Sequence, residues 1–273
     1  MVKKLLKHEF LAYGRIMSIV YLVLLTIATA SRIIQFFEND SITYSIVFNA
    51  SCVTYGFSAF VTIVFGFVLG IIRFYKNLFT AEGYLTLTLP VSPAQHIWTK
   101  SFATVVVQLF TILVVLLSGC IITAGEMLSE IWKAMTYLLD ELFALVGTQS
   151  ILIGCEVLVL SVLFLFSSIM LYYTFIAIGQ LFKKNRILAA VGAFFAFYIL
   201  SQVVSVVLTI VLSILSVSGA FEEFLSWLPD FAQRQPYTLI HCTIWITALF
   251  PAIGILVEFL IIYKIITYKL NLE

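Results

Sequence analysis

Charge is what this sequence holds least of. Asp, Glu, Lys and Arg make up 11% of its 273 residues, and 62% are hydrophobic. Soluble domains carry about 25% charged and about 45–50% apolar residues, so the shortage excludes an ordinary soluble domain and implies an integral membrane protein. Net charge is only +1, and such a balance gives no reason to expect a nucleic-acid partner. The four cysteines, Cys52, Cys120, Cys155 and Cys242, form no CxxC pair; neither a disulfide framework nor a zinc site is indicated. The G-x-x-x-x-G-K-[ST] pattern is missing, which removes ATP binding through a P-loop. G-x-S-x-G is missing too, and His8-Glu9 lacks the second histidine of a zincin helix. Glu222-Glu223 has Trp227 where paired-glutamate membrane proteases need an arginine. The expectation is a chain with no catalytic, metal-binding or cofactor-binding residues of its own. There is no internal repeat, low-complexity tract or soluble module, so residues 1–273 read as a single membrane domain.

Six apolar stretches are present, at 16–36, 46–72, 101–124, 150–181, 187–217 and 239–266. Each reaches the roughly 20 residues that a helical crossing needs, which predicts an all-α, six-span protein. The fourth and fifth exceed a straight crossing and are expected to tilt, kink or project. No small-residue cleavage site follows the first stretch, so it reads as a retained span. Basic residues set the orientation. With both termini in the cytoplasm, Lys3, Lys4, Lys7, Arg15, Arg73, Lys76, Lys100, Lys183, Lys184, Arg186, Lys264 and Lys269 fall inside, and only Arg32, Lys133 and Arg234 outside. A multi-pass protein of the cell membrane with both ends cytoplasmic is predicted.

The remaining segments carry patterns of their own. Residues 2–15 alternate lysines with Leu5, Leu6, Phe10 and Leu11, as in an amphipathic helix lying on the inner membrane surface or a short charged anchor for the first span. Between spans three and four (125–149), Met127, Leu128, Ile131, Trp132, Met135, Leu138, Leu139, Leu142 and Val146 recur at helical spacing opposite acidic residues. This predicts an outer amphipathic helix resting on the bilayer or on its own spans. The loop 218–238 is aromatic and acidic. Gly66 and Gly70 form a GxxxG that suits close helix approach, either within the chain or between copies. Glu156 and Glu258 are the acids inside spans, where ionisable groups are costly and suggest function; pairing with a neighbouring span or a cation is the plainer expectation, with Lys264 close to Glu258. Gln108, Gln180 and Gln202 are expected to bridge helices. Arg32 is expected to face a substrate path or to reach Glu38 or Asp40. Pro251 is expected to kink the sixth span.

The longest segment expected in the cytoplasm is 73–100, RFYKNLFTAEGYLTLTLPVSPAQHIWTK. If Thr80 caps a short helix, Leu78, Ala81 and Leu85 form one apolar stripe that a solvated linker would not need. Leu85, Leu87 and Leu89 alternate with threonines, a strand pattern; a lone strand would leave its backbone unpaired, so 80–89 is read as helix. Ser92-Pro93-Ala94-Gln95 then reads as an N-cap, a first-turn proline and a capping-box glutamine.

Glu82-Gly83-Tyr84-Leu85-Thr86-Leu87-Thr88-Leu89-Pro90-Val91-Ser92, followed by Lys100, resembles the first cytoplasmic loop of type-2 ABC exporter permeases, where an E-G-x-L-x-x-L-x-x-P-V-S-like run forms the coupling helix. The resemblance implies a contact with an ATP-binding subunit through Leu78, Phe79, Ala81, Glu82, Gly83, Tyr84, Leu85, Leu87 and Leu89. It also implies an elbow helix at 1–15 and short re-entrant helices near 218–238. Two permease subunits, identical or related, would pair in membrane lipid, with ATP and Mg bound by the partner ATPase. The cargo expected is amphiphilic, a peptide or lipid-like compound. A non-transporting membrane partner of an ATPase (an immunity or regulatory subunit) and a secondary transporter are the alternatives.

Overall fold

The computed structural model describes residues 2–268 except 81, 84, 85, 87, 89, 183 and 220–225. Among them the protein is all helix and contains no strand. Helices with both ends described follow in this order: α1 Val2–Gln35, α2 Ile42–Phe79, α3 Pro93–Ile122, α4 Glu126–Val146, α5 Gln149–Gly179, α6 Arg186–Val217, α7 Leu228–Arg234 and α8 Pro236–Tyr268. Six of these (all but α4 and α7) are long and apolar enough to cross a membrane, at the six places the apolar stretches predict. The chain divides into two compact units, Met1–Leu145 and Val146–Glu273.

In the first unit α1 packs on α2 and α3, which also touch each other. Helix α1 has 34 residues and α2 has 38, about 51 and 57 Å at 1.5 Å per residue, against about 30 Å of hydrocarbon. Their ends therefore project well past a crossing. No break separates residues 2–15 from the first span, in contrast to the separate surface helix expected. The reason is local: no proline intervenes, and Tyr13 and Met17, on either side of the expected junction, belong to one buried cluster with Leu69, Ala103 and Val107. Packing runs straight through.

The capping box at the start of α3 forms as read from sequence. Ser92 accepts from Gln95 N, the Gln95 side chain accepts from Ser92 N, and Pro93 stands in the first turn. Thr80 does not cap forward. It closes α2, and its hydroxyl donates back to the Lys76 carbonyl at 2.6 Å.

Gly66 and Gly70 serve packing inside this unit. A Cβ on Gly70 would stand 2.4 Å from Thr104 Cγ2, and one on Gly66 would stand 3.0 Å from Gln108 Oε1 and 3.2 Å from Met17 Cε. Such contacts leave room only for glycine, so α2 lies tight against α3. Hydroxyl bonds then tie the helices along their length. Tyr13 meets Thr104 and Tyr21 meets Thr111, each at 2.7 Å, and Tyr55 meets Ser118 at 3.0 Å. Thr104, Thr111 and Ser118 recur every seven residues, hence on one face of α3. Gln108 extends that row by donating to the Ile63 carbonyl at 3.2 Å.

Helix α4 stands where the amphipathic pattern places it, between Gly125 (φ +104) and Gly147 (φ +63), left-handed positions that favour glycine. Its Trp132, Met135, Leu138 and Leu139 are exposed.

In the second unit α5 packs against both α6 and α8, and α7 against α8. Ile169, Met170, Tyr173 and Ile262 are its most buried large side chains. At the α5–α6 turn a Cβ on Gly179 would lie 2.6 Å from the Arg186 carbonyl oxygen, so glycine permits the close reversal. Tyr172, Phe175, Phe194 and Phe197 stack along the α5–α6 seam. Pro251 lies inside α8, which continues through it.

Candidate functional site

The most concentrated chemistry in the first unit lies where the start of α1, the end of α2 and the start of α3 converge. Antiparallel connection of three long helices brings these three ends together. Glu9 accepts from Arg73 Nη2 at 2.7 Å through one oxygen and from Lys100 Nζ through the other. The Glu9 residue is 6% exposed and Lys100 is 4% exposed. Charge-assisted bonds in such an enclosed place are among the stronger ones, and each buried charge needs its partner because leaving one unpaired is costly.

The cluster continues on both sides. Arg73 also lies over the Tyr13 ring, with Cζ 4.8 Å from its centroid. With its amide turned so that each atom meets a complementary partner, Asn77 accepts from Lys100 Nζ at 2.8 Å and donates to a Glu82 carboxylate oxygen at 3.2 Å; in the other orientation its nitrogen lies 3.5 Å from Glu9 Oε1. A continuous path therefore runs Glu82, Asn77, Lys100, Glu9, Arg73. Two acids balance two bases. Its outer end, Glu82, belongs to the segment singled out in the sequence, and Arg73 and Lys100 are that segment's two boundaries.

Of the expected contact residues, Leu78 is 0% and Phe79 3% exposed. Both are buried within the chain itself, with Phe79 edge-on to Phe74 at 5.7 Å. They pack inward at the end of α2 and offer no outward stripe. Glu82, Gly83 and Thr86 are helical, in keeping with helix over strand at those positions. Gly83 N donates to the Thr80 carbonyl at 2.7 Å. Ala81, Tyr84, Leu85, Leu87 and Leu89 lie outside the described residues. Just beyond, His96 is fully buried, and neither ring nitrogen has a hydrogen-bond partner among the described residues.

The other expected polar residues separate into different roles. Glu156 is held by α8: His241 Nδ1 lies 2.7 Å from one oxygen, and Trp245 Nε1 donates to the other at 3.0 Å. His241 and Trp245 are four residues apart and so share a helix face. Glu156 is a clasp between α5 and α8. Glu258 makes no ion pair with Lys264 among the described residues; six residues along a helix, Lys264 points to another side. Arg32 turns to Gln35 and to the Phe36 ring at 5.0 Å, rather than to Glu38 or Asp40. Gln35 in turn donates to the Ile122 carbonyl at 3.0 Å, which fastens α1 to the end of α3. Gln108 bridges helices as expected. Among the described residues the Gln180 side chain bonds within its own helix, to the Ile176 carbonyl, and Gln202 is exposed.

Sequence reasoning overlooked Glu9, the one acid in a lysine-rich segment, and Asn77. An acid alone among bases within helical reach of a membrane surface was the available signal. Comparison with protein-family models, with curated proteins and with solved structures gives no match to this chain.

Proposed function

We propose that the chain is the membrane-spanning subunit of an ATP-driven exporter, of the kind the segment 82–92 resembles. One observation carries the reading: the single carboxylate of Glu9 holds Arg73 and Lys100, the two ends of the longer segment 73–100 that contains it. A push on the segment at Glu82 passes through Asn77 to Lys100 and Glu9. From there it reaches α1, α2 and α3 together instead of bending one helix. A rigid, balanced ionic cluster suits this purpose, because separating any member leaves a buried charge unanswered. Six apolar helices give the chain its place in a membrane, and a separate ATP-binding subunit supplies hydrolysis. Cargo leaves through the membrane portion, made by two permease copies, and is amphiphilic.

Two measurements test this. The affinity-tagged chain, purified from its own cells in mild detergent, is expected to bring down an ATP-binding cassette subunit whose hydrolysis responds to cargo. Recovery without any ATPase overturns the proposal. For orientation, single cysteines at Ser129 and Lys184, both exposed, are introduced after removal of the four native ones. With intact cells and a membrane-impermeant thiol reagent, position 129 is expected to react and position 184 to stay unlabelled. The reverse pattern puts the 73–100 segment on the wrong side for an intracellular ATPase.

A further inference from the structure

Within the second unit, α5, α6 and α8 line a half-open pocket of about 570 Å³, in the range of small-molecule sites. Phe164 and Phe175 from α5, Phe197 from α6 and Phe250 from α8 line it, so its wall is mainly aromatic and apolar. One acid stands in that wall, Glu258, which is 8% exposed. Its Oε2 is enclosed and has no hydrogen-bond partner among the described residues. None of the ion pairs among those residues involves it. A glycine opens the space beside it. A Cβ on Gly254, one turn earlier on α8, would come 3.2 Å from Ser167 Oγ and 3.9 Å from Glu258 Oε1.

We propose that this cavity binds a lipophilic cation, an apolar molecule bearing one protonated nitrogen. A lone acid among hydrocarbon is costly without a partner, and an N–H donor on a cation satisfies the open oxygen while supplying the countercharge. The aromatic wall favours the same occupant, since ring faces attract cations. A lipid acyl chain fills the volume and leaves the carboxyl unanswered. Glu156, by comparison, already has both oxygens taken by His241 and Trp245, so it is not a second such site. The assignment stands apart from the exporter reading because binding requires no ATPase; under that reading the cation is the cargo class.

The test uses the purified full chain in phosphatidylcholine nanodiscs, with tritiated 3,3-diphenylpropylammonium and its neutral counterpart 3,3-diphenylpropanol. The ammonium is expected to bind saturably and about tenfold or more tighter than the alcohol, a step of about one decade in Kd. Glu258→Gln is expected to weaken the ammonium by about the same factor and to leave the alcohol unchanged. Gly254→Leu, which fills the space, is expected to abolish saturable binding of both. Equal affinities for the two probes in the wild-type chain overturn the proposal, and that comparison depends on no variant. So does an unchanged ammonium affinity in Glu258→Gln. Absence of saturable binding overturns it as well, and identifies the cavity as a seat for acyl chains only.

Discussion

Replacing Glu9 with glutamine is expected to destabilise the α1–α3 unit by about 3–5 kcal/mol, the usual cost of breaking a buried ion pair from one side. Glutamine keeps the size of the side chain and removes the charge that answers both Arg73 and Lys100. The two cations differ in their means of escape. The Arg73 side chain is 18% exposed and that of Lys100 only 5%, so the guanidinium can turn partly toward solvent and the ammonium cannot. The loss should therefore sit mainly at Lys100. A second change, Lys100→Met in the Glu9→Gln background, is expected to recover most of it, because an apolar side chain of similar length needs no countercharge. Arg73→Met in the same background should recover less. Melting in detergent, followed for the three variants together with the wild type, checks this order. A Glu9→Gln protein within about 1 kcal/mol of wild type would mean the pair behaves like a surface salt bridge, and the path from Glu82 to Arg73 would lose its stiffest link.

The contrast between Lys100 and Glu9 shows what this sequence makes legible. Helices follow from local patterns, and so the six apolar stretches, the capping box at Ser92-Gln95 and the amphipathic run of α4 could all be read in advance. Each depends on neighbours no more than a few residues away. Glu9 depends on Arg73 and Lys100, partners 64 and 91 positions distant; an acid alone among lysines marks the position locally without naming those partners. The same holds for Glu156, whose clasp with His241 spans 85 positions. Tyr13 with Thr104 and Tyr21 with Thr111 lie between these cases. The seven-residue recurrence of hydroxyls on α3 was present in the sequence, but its meaning needed the tyrosines of α1. Leu78 misled for a related reason. Helical spacing with Ala81 and Leu85 suggested an outward stripe, but α2 continues through Leu78 and carries it into the core before the chain turns at Thr80. Periodicity identifies an apolar face; it does not say which neighbour covers it.

Under the proposed docking of an ATP-binding subunit, Gly83→Ala is expected to cut the ATPase recovered with the chain about tenfold, with membrane abundance and the melting of the α1–α3 unit nearly unchanged. At this position a Cβ would stand 2.5 Å from the Leu78 carbonyl oxygen and 2.7 Å from its carbon. Those are backbone atoms of a residue with no exposed surface, so no side chain can rotate away and the segment itself must move. The shift falls on Glu82, the adjacent residue, and pulls its carboxylate from the Asn77 amide that now lies 3.2 Å away. Glu9, Arg73 and Lys100 stay as they are, which is why stability should hold while coupling fails. A tenfold loss corresponds to about 1.4 kcal/mol of docking free energy. Thr86→Ser serves as the neighbouring control, because serine keeps the hydroxyl that donates to the Glu82 carbonyl at 2.9 Å. The measurement is ATPase per permease after affinity purification, alongside permease per membrane. Full recovery of the ATPase with Gly83→Ala would separate the close approach of Gly83 to Leu78 from any role in coupling, and the segment 82–92 would then have to act through other residues.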